Sequence, residues 1–115
     1  MIPPGPATMM RIYLGDADRV RGGPTYHAIV ERLRALGIAG ATVTHGIEGF
    51  GSKQHLHTDR LLTLSVDLPV VLEVIDTEER IRSVIPEIEA LIGDGLIVLV
   101  PVEVVAHRSD GDSAG

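Results

Sequence analysis

The residues with the most chemical potential lie mid-chain, in the run GIEGFGSKQHLHTDR from Gly46 to Arg60. Gly49-Phe50-Gly51 can turn backbone N–H groups toward an anion, and Lys53, the only lysine, would add a point charge beside them. The same glycines also suit a plain hairpin tip, because the fixed spacing of a phosphate loop is missing. A second glycine cluster, Gly93-Asp94-Gly95, is explained as a helix stop and turn. It becomes a ligand site only with a partner surface, such as a neighbouring subunit. His55 and His57 stand two apart, so in an extended strand they point the same way and could chelate, with His45 at the base of the same loop. Imidazoles without thiolates suit zinc, copper or nickel, but no carboxylate motif completes the set, and no metal site is assigned.

Catalytic chemistry finds little support. The chain has no Cys, hence no thiol nucleophile, disulfide framework or cysteine zinc site. It has no Ser-centred nucleophile elbow and no carboxylate pair with an assignable role. Asp16 and Asp18, followed by Arg19 and Arg21, read as a solvated, self-paired loop rather than an acid–base dyad. The expectation is a protein that is not an enzyme. A net charge of −6, from 10 basic and 16 acidic residues, argues against a nucleic-acid binder, which needs a basic stripe to gather phosphates. No apolar run approaches the roughly 20 residues of a spanning helix, so no direct membrane insertion is expected. The opening MIPPGPATMM lacks the basic start and apolar stretch of a signal peptide, which makes a cytoplasmic location the simplest expectation.

The elements that must position these residues follow from periodicity. At 115 residues, with 44% hydrophobic content, one globular domain is expected. Residues 1–8 are Pro/Gly-rich and expected to be loose, residues 9–108 form the domain with a long loop at about 46–68, and residues 109–115 form a loose tail. A strand over Met9–Leu14 leads through the polar loop GDADRVRGG to a helix over Pro24–Leu36. Tyr26, Ile29, Val30, Leu33 and Leu36 make its apolar stripe, and Gly37 stops it. The Thr/Val-rich AGATVTHGI is a second strand. After the loop, Pro69–Asp76 is a strand, and Asp76 with Glu79 resembles a capping box. A helix then runs to about Ile92, with Pro86 expected to kink or split it, and Gly93 stops it. Leu96–Val105 is the last strand.

Two such helices cover one face of a four-stranded sheet, yet the strands are apolar on both faces. Val70, Leu72 and Val74 alternate with Val71 and Ile75, and Ile97, Leu99 and Pro101 with Val98, Val100 and Val102. A half-exposed sheet should alternate apolar with polar, so the second face is expected to be buried in an oligomer.

The order βαβ, long loop, βαβ, with ATVTHGIEGFG before the loop and IGDGLIVLVPVEVV at the end, resembles the PII-like (GlnB-like) signalling superfamily. RIYLGDAD, PTYHAIVERLRALGIAGATV and LPVVLEVIDTEERI extend the resemblance over roughly Met10–Val105, closest to an uncharacterised branch sometimes associated with fluoride channels of the CrcB type. The resemblance implies an α+β, ferredoxin-like βαββαβ sandwich, a four-stranded antiparallel sheet with two helices on one face, assembled as a homotrimer. It also implies adenine nucleotides (ATP, ADP or AMP) in clefts between subunits, and a middle loop that signals to a partner such as a membrane transporter or channel. Carried over by position, Thr42, Gly49, Gly51, Lys53, Gly93, Asp94 and Gly95 would line that cleft, with Arg108 reaching a phosphate. Three departures stand out. Leu96 occupies the place where Lys usually follows the GDG turn, Thr42–Gly49 is one residue longer than usual, and the loop carries no Tyr for nucleotidylation. The alternatives are a CutA-like metal-binding trimer using His45, His55 or His57, and a ligand-free scaffold for a membrane channel.

Overall fold

The computed structural model describes residues 2–51 and 67–110. Strand β1 (Gly5–Gly15) is followed by a small hairpin, β2 (Arg19–Val20) and β3 (Gly23–Pro24), and by helix α1 (Thr25–Ala35). Strands β4 (Ala41–His45) and β5 (Pro69–Asp76), helix α2 (Glu78–Glu89) and strand β6 (Leu96–Val104) complete the chain. The main sheet is antiparallel throughout in the order β4-β5-β1-β6. This is the α+β, ferredoxin-like arrangement expected from the sequence.

Strand alternation divides the residues between two faces. Met10, Ile12 and Leu14 of β1 and Val70, Leu72 and Val74 of β5 are buried against Ile29 and Leu33 of α1 and Ile81, Val84 and Ile88 of α2. The opposite face carries no helix. It presents Met9, Arg11 and Tyr13 of β1, Val71, Glu73 and Ile75 of β5, and Leu96, Val98 and Val100 of β6, all only partly covered or exposed. Tyr13 and Ile75 are each 37% exposed and Leu96 is 55% exposed, an apolar surface that is costly to leave in water.

Several boundaries differ from the sequence expectation for physical reasons. Strand β1 begins at Gly5 rather than Met9, because Gly5–Thr8 pair with Val104–Pro101 of β6. Ile2 is buried, and its backbone N–H donates to His107 Nδ1 at 2.8 Å. The polar loop GDADRVRGG contains a two-residue hairpin turn, with Arg21 at φ 52° and Gly22 at φ 84°, the mirror-type turn that matches strand twist. Pro24 is the extended residue before α1 rather than part of its first turn. After α1, Gly37 takes φ +82°, its N–H bonds the Arg34 carbonyl, and the Ile38 N–H bonds the Leu33 carbonyl, closing a Schellman stop.

The capping box expected at Asp76 is not formed. Thr77 is the N-cap, its hydroxyl accepting from the Arg80 N–H at 3.3 Å. Asp76 instead ends β5 and is 3% exposed. Its carboxylate accepts from the Thr77 N–H at 2.8 Å, the Ala39 N–H at 3.2 Å and Arg80 Nε at 3.2 Å. Arg80 also donates to the Gly37 carbonyl, so one buried carboxylate joins the α1–β4 connection to the start of α2. Helix α2 runs through Pro86 as one element and ends at Glu89, with single turns (Leu91 N–H to Ile88, Ile92 N–H to Glu89) leading to Gly93.

Candidate functional site

The two arms of the central loop leave the sheet side by side, where β4 ends and β5 begins. The Gly46 N–H donates to the Pro69 carbonyl at 2.7 Å and closes them together. The turn after β1 clasps both arms. The Asp16 N–H donates to the Leu68 carbonyl at 2.8 Å, and the Ala17 N–H to Asp67 Oδ1 at 2.8 Å. On the other arm, Asp16 Oδ1 meets His45 Nε2 at 2.9 Å, and the Tyr26 ring stands edge-on to the imidazole at 5.6 Å. Gly15 permits this approach, since a Cβ there would lie 2.5 Å from the Asp67 carboxylate. The Asp16–Arg21 loop is therefore more than a self-paired surface. Arg19 donates to the carbonyls of Asp16 and Asp18, while the Asp18 carboxylate accepts the Gly15 N–H.

The glycines expected to hold an anion fall into two places at this same end of the sheet. Gly49 lies against Pro69 of β5, where a Cβ would meet Pro69 Cγ at 3.0 Å, and Gly51 has open space around it. Gly93, Asp94 and Gly95 link α2 to β6, beyond β1. Gly95 is pressed against the chain, a Cβ there standing 2.9 Å from the Tyr13 carbonyl and 2.9 Å from Leu14 Cδ2. The intervening β5 and β1 keep the two glycine groups about 10–15 Å apart at the usual strand spacing. Thr42 is exposed on β4, opposite Glu73 and on the helix-free face. Arg108 follows β6 at its far end, next to His107, so the nine residues of Leu96–Val104 separate it from Gly95 within one copy. Lys53, His55 and His57 lie outside the described residues. His45 is occupied by Asp16 and Tyr26, and among the described residues no group of three His, Asp or Glu gathers as metal ligands.

Arg11 and Glu73 were not singled out by their sequence positions. They face each other directly across β1 and β5, and Arg11 Nε and Nη2 donate to Glu73 Oε2 at 3.1 and 2.8 Å. A hydrogen bond with Tyr13, and then Glu73, raises the Arg11 pKa above its ordinary value, so this charge is permanent. Elsewhere, a groove of about 360 Å³ between the Pro6–Thr8 segment, Glu78, Arg82 and Leu99 opens at the opposite end of the sheet from the glycine turns. It contains none of the expected ligand residues. Among the described residues no helix is long and apolar enough to cross a membrane.

Comparison with known proteins supplies the rest. The model of DUF190, described as an uncharacterized ACR family, matches residues 7–104. A UPF0166 protein of Aquifex aeolicus is 37% identical over 97 residues, 84% of this chain and 91% of that one. A UPF0166 protein of Methanocaldococcus jannaschii is 38% identical over 99 residues, covering 85% and 91%. Among solved structures, a PII-like signaling protein of Thermus thermophilus superposes with a TM-score of 0.62 at 19% identity, over 88% of this chain and 91% of that one. CPII of Thiomonas intermedia, bound to ADP and bicarbonate, superposes with a TM-score of 0.59 at 19% identity, over 92% and 95%. At these identities the structural likeness concerns the fold alone.

Proposed function

The chain belongs to the DUF190 family, and on that premise we propose that it is a non-enzymatic, cytoplasmic regulatory protein of the PII-like kind. It works as a homotrimer that takes a small anionic ligand, an adenine nucleotide foremost, between its subunits. One observation carries the reading. The two glycine turns sit at the same end of the sheet but are held apart by β5 and β1, so among the described residues neither makes an enclosed site within one copy. Neighbouring copies packed through the helix-free face would bring the Gly49–Gly51 turn of one to the Gly93–Gly95 turn of the next. Backbone N–H groups from two turns, with Lys53 as the cation, make a suitable lining for phosphate. Leu96 leaves the position after Gly95 without a cation, which favours weaker or shorter phosphate chains, ADP or AMP before ATP. CPII, which shares the fold, was solved with ADP, and this supports testing that ligand first.

Signalling follows from position. The clasp of Asp16, His45 and Asp67 fixes the two ends of the central loop to the sheet next to the proposed cleft. Ligand binding there would select among states of the loop, and the loop would dock on a partner protein, for which a membrane transporter or channel, including the fluoride channels of the CrcB type, is the proposed class. The shift is limited by the ligand's differential affinity for those states. Calorimetric titration with ATP, ADP, AMP and cyclic nucleotides tests the ligand. Saturable binding by at least one, weakened about tenfold or more by Lys53→Ala, is expected. No heat across the panel contradicts the nucleotide form of the proposal.

A further inference from the structure

The helix-free face of the sheet is largely apolar, with Thr44 at its β4 edge and one row that carries charge. There Thr42 of β4, Glu73 of β5, Arg11 of β1 and Val98 of β6 stand side by side by register. Met9, Tyr13, Val71, Ile75 and Val100 surround the charged pair. The two side chains are only partly covered, 32% exposed for Arg11 and 44% for Glu73. Arg11 Nε and Nη2 both donate to Oε2, Nη2 also reaching Met9 Sδ at 3.8 Å, and among the described residues Glu73 Oε1 takes no bond. A foreign apolar partner would strip the remaining water from this ion pair and from Glu73 Oε1 without replacing it, which costs free energy. A second copy answers both charges by construction, because it carries one charge of each sign at the same two positions. We propose that Arg11 and Glu73 set the specificity of self-assembly, each Arg11 facing Glu73 of the next copy. The pair favours arrangements of the apolar faces that bring opposite charges together and disfavours those that bring like charges together. This inference rests on the homo-oligomeric reading above and adds to it the residues that choose the register.

The physical ground is the asymmetry between matched and mismatched charges out of water. A matched pair is close to neutral in energy against an apolar isostere, whereas like charges held together are strongly disfavoured. Such a pair therefore adds selectivity more than strength, as a polar residue does in a coiled-coil seam.

The test reverses the pair in one chain. The double variant Arg11→Glu with Glu73→Arg keeps opposite charges within each copy and between identical copies. Between a wild-type and a reversed copy, like charges meet. Wild-type and ¹⁵N-labelled reversed chains are refolded together, and the assemblies are read by native mass spectrometry. The expected result is two separate sets of homo-oligomers, with mixed species at least about tenfold below their statistical share. A statistical mixture overturns the proposal and confines the pair to a role within one chain. A reversed chain that folds by circular dichroism but does not assemble also overturns it, since sign reversal at both positions preserves the match. A monomeric wild-type chain would instead defeat the oligomeric reading, so the two failures are distinguishable.

Discussion

Asp76 shows how much of this molecule depends on a single carboxylate. It is buried at the end of β5, where it satisfies two backbone N–H groups and Arg80. Asp76→Ala leaves those N–H groups without an acceptor in a site water hardly reaches. The expected loss is about 2–3 kcal/mol in urea denaturation, with Asp76→Asn, which keeps an acceptor oxygen, losing less. An equal loss for both variants would mean that charge alone matters there. From the sequence this residue resembles an N-cap, since Asp followed three residues on by Glu is the usual signature. The signature cannot tell a carboxylate outside the helix from one drawn in by Ala39, a residue 37 positions away. Long-range partners of this kind also hid the clasp. Asp16 and His45 are ordinary neighbours in space but 29 residues apart in the chain. Arg11 and Glu73 meet across 62.

Elements were more legible than partners, because each is written in local periodicity. The stripe of Ile29 and Leu33, and that of Ile81, Val84 and Ile88, point into the core as a helical repeat requires. Boundaries slipped where a neighbour decides them. Gly5–Thr8 look like loose Pro/Gly chain and are a strand because β6 is long enough to pair with them. The start of α2 is a case that stability measurements can settle. Thr77 caps the helix through the Arg80 N–H, so Thr77→Ala is expected to cost about 1 kcal/mol in urea denaturation. No change would return the capping role to Asp76. Pro86 inside α2 neither splits nor ends the helix, whose face toward the core continues to Ile88. The packed stripe on both sides of it offsets the missing N–H bond.

At the scale of the whole molecule, much of the aliphatic surplus among the described residues lies on the sheet face that no helix covers. The excess is visible in the sequence as strands apolar on both sides. The structure adds that the excess is a continuous surface over β1, β5 and β6, crossed by the Arg11–Glu73 pair. The two candidate glycine turns lie at one end of that same sheet, separated by β5 and β1, whereas Arg108 lies at the other end. Assembly and ligand binding are thus linked in this account, because the proposed cleft exists only between copies. Strand periodicity points to the contacting face, but it does not encode which residues of one copy meet which of the next. Light scattering on the intact chain at micromolar concentration measures the assembly itself. A mass close to three times 12.3 kDa is expected, and a stable monomer would contradict the trimeric reading.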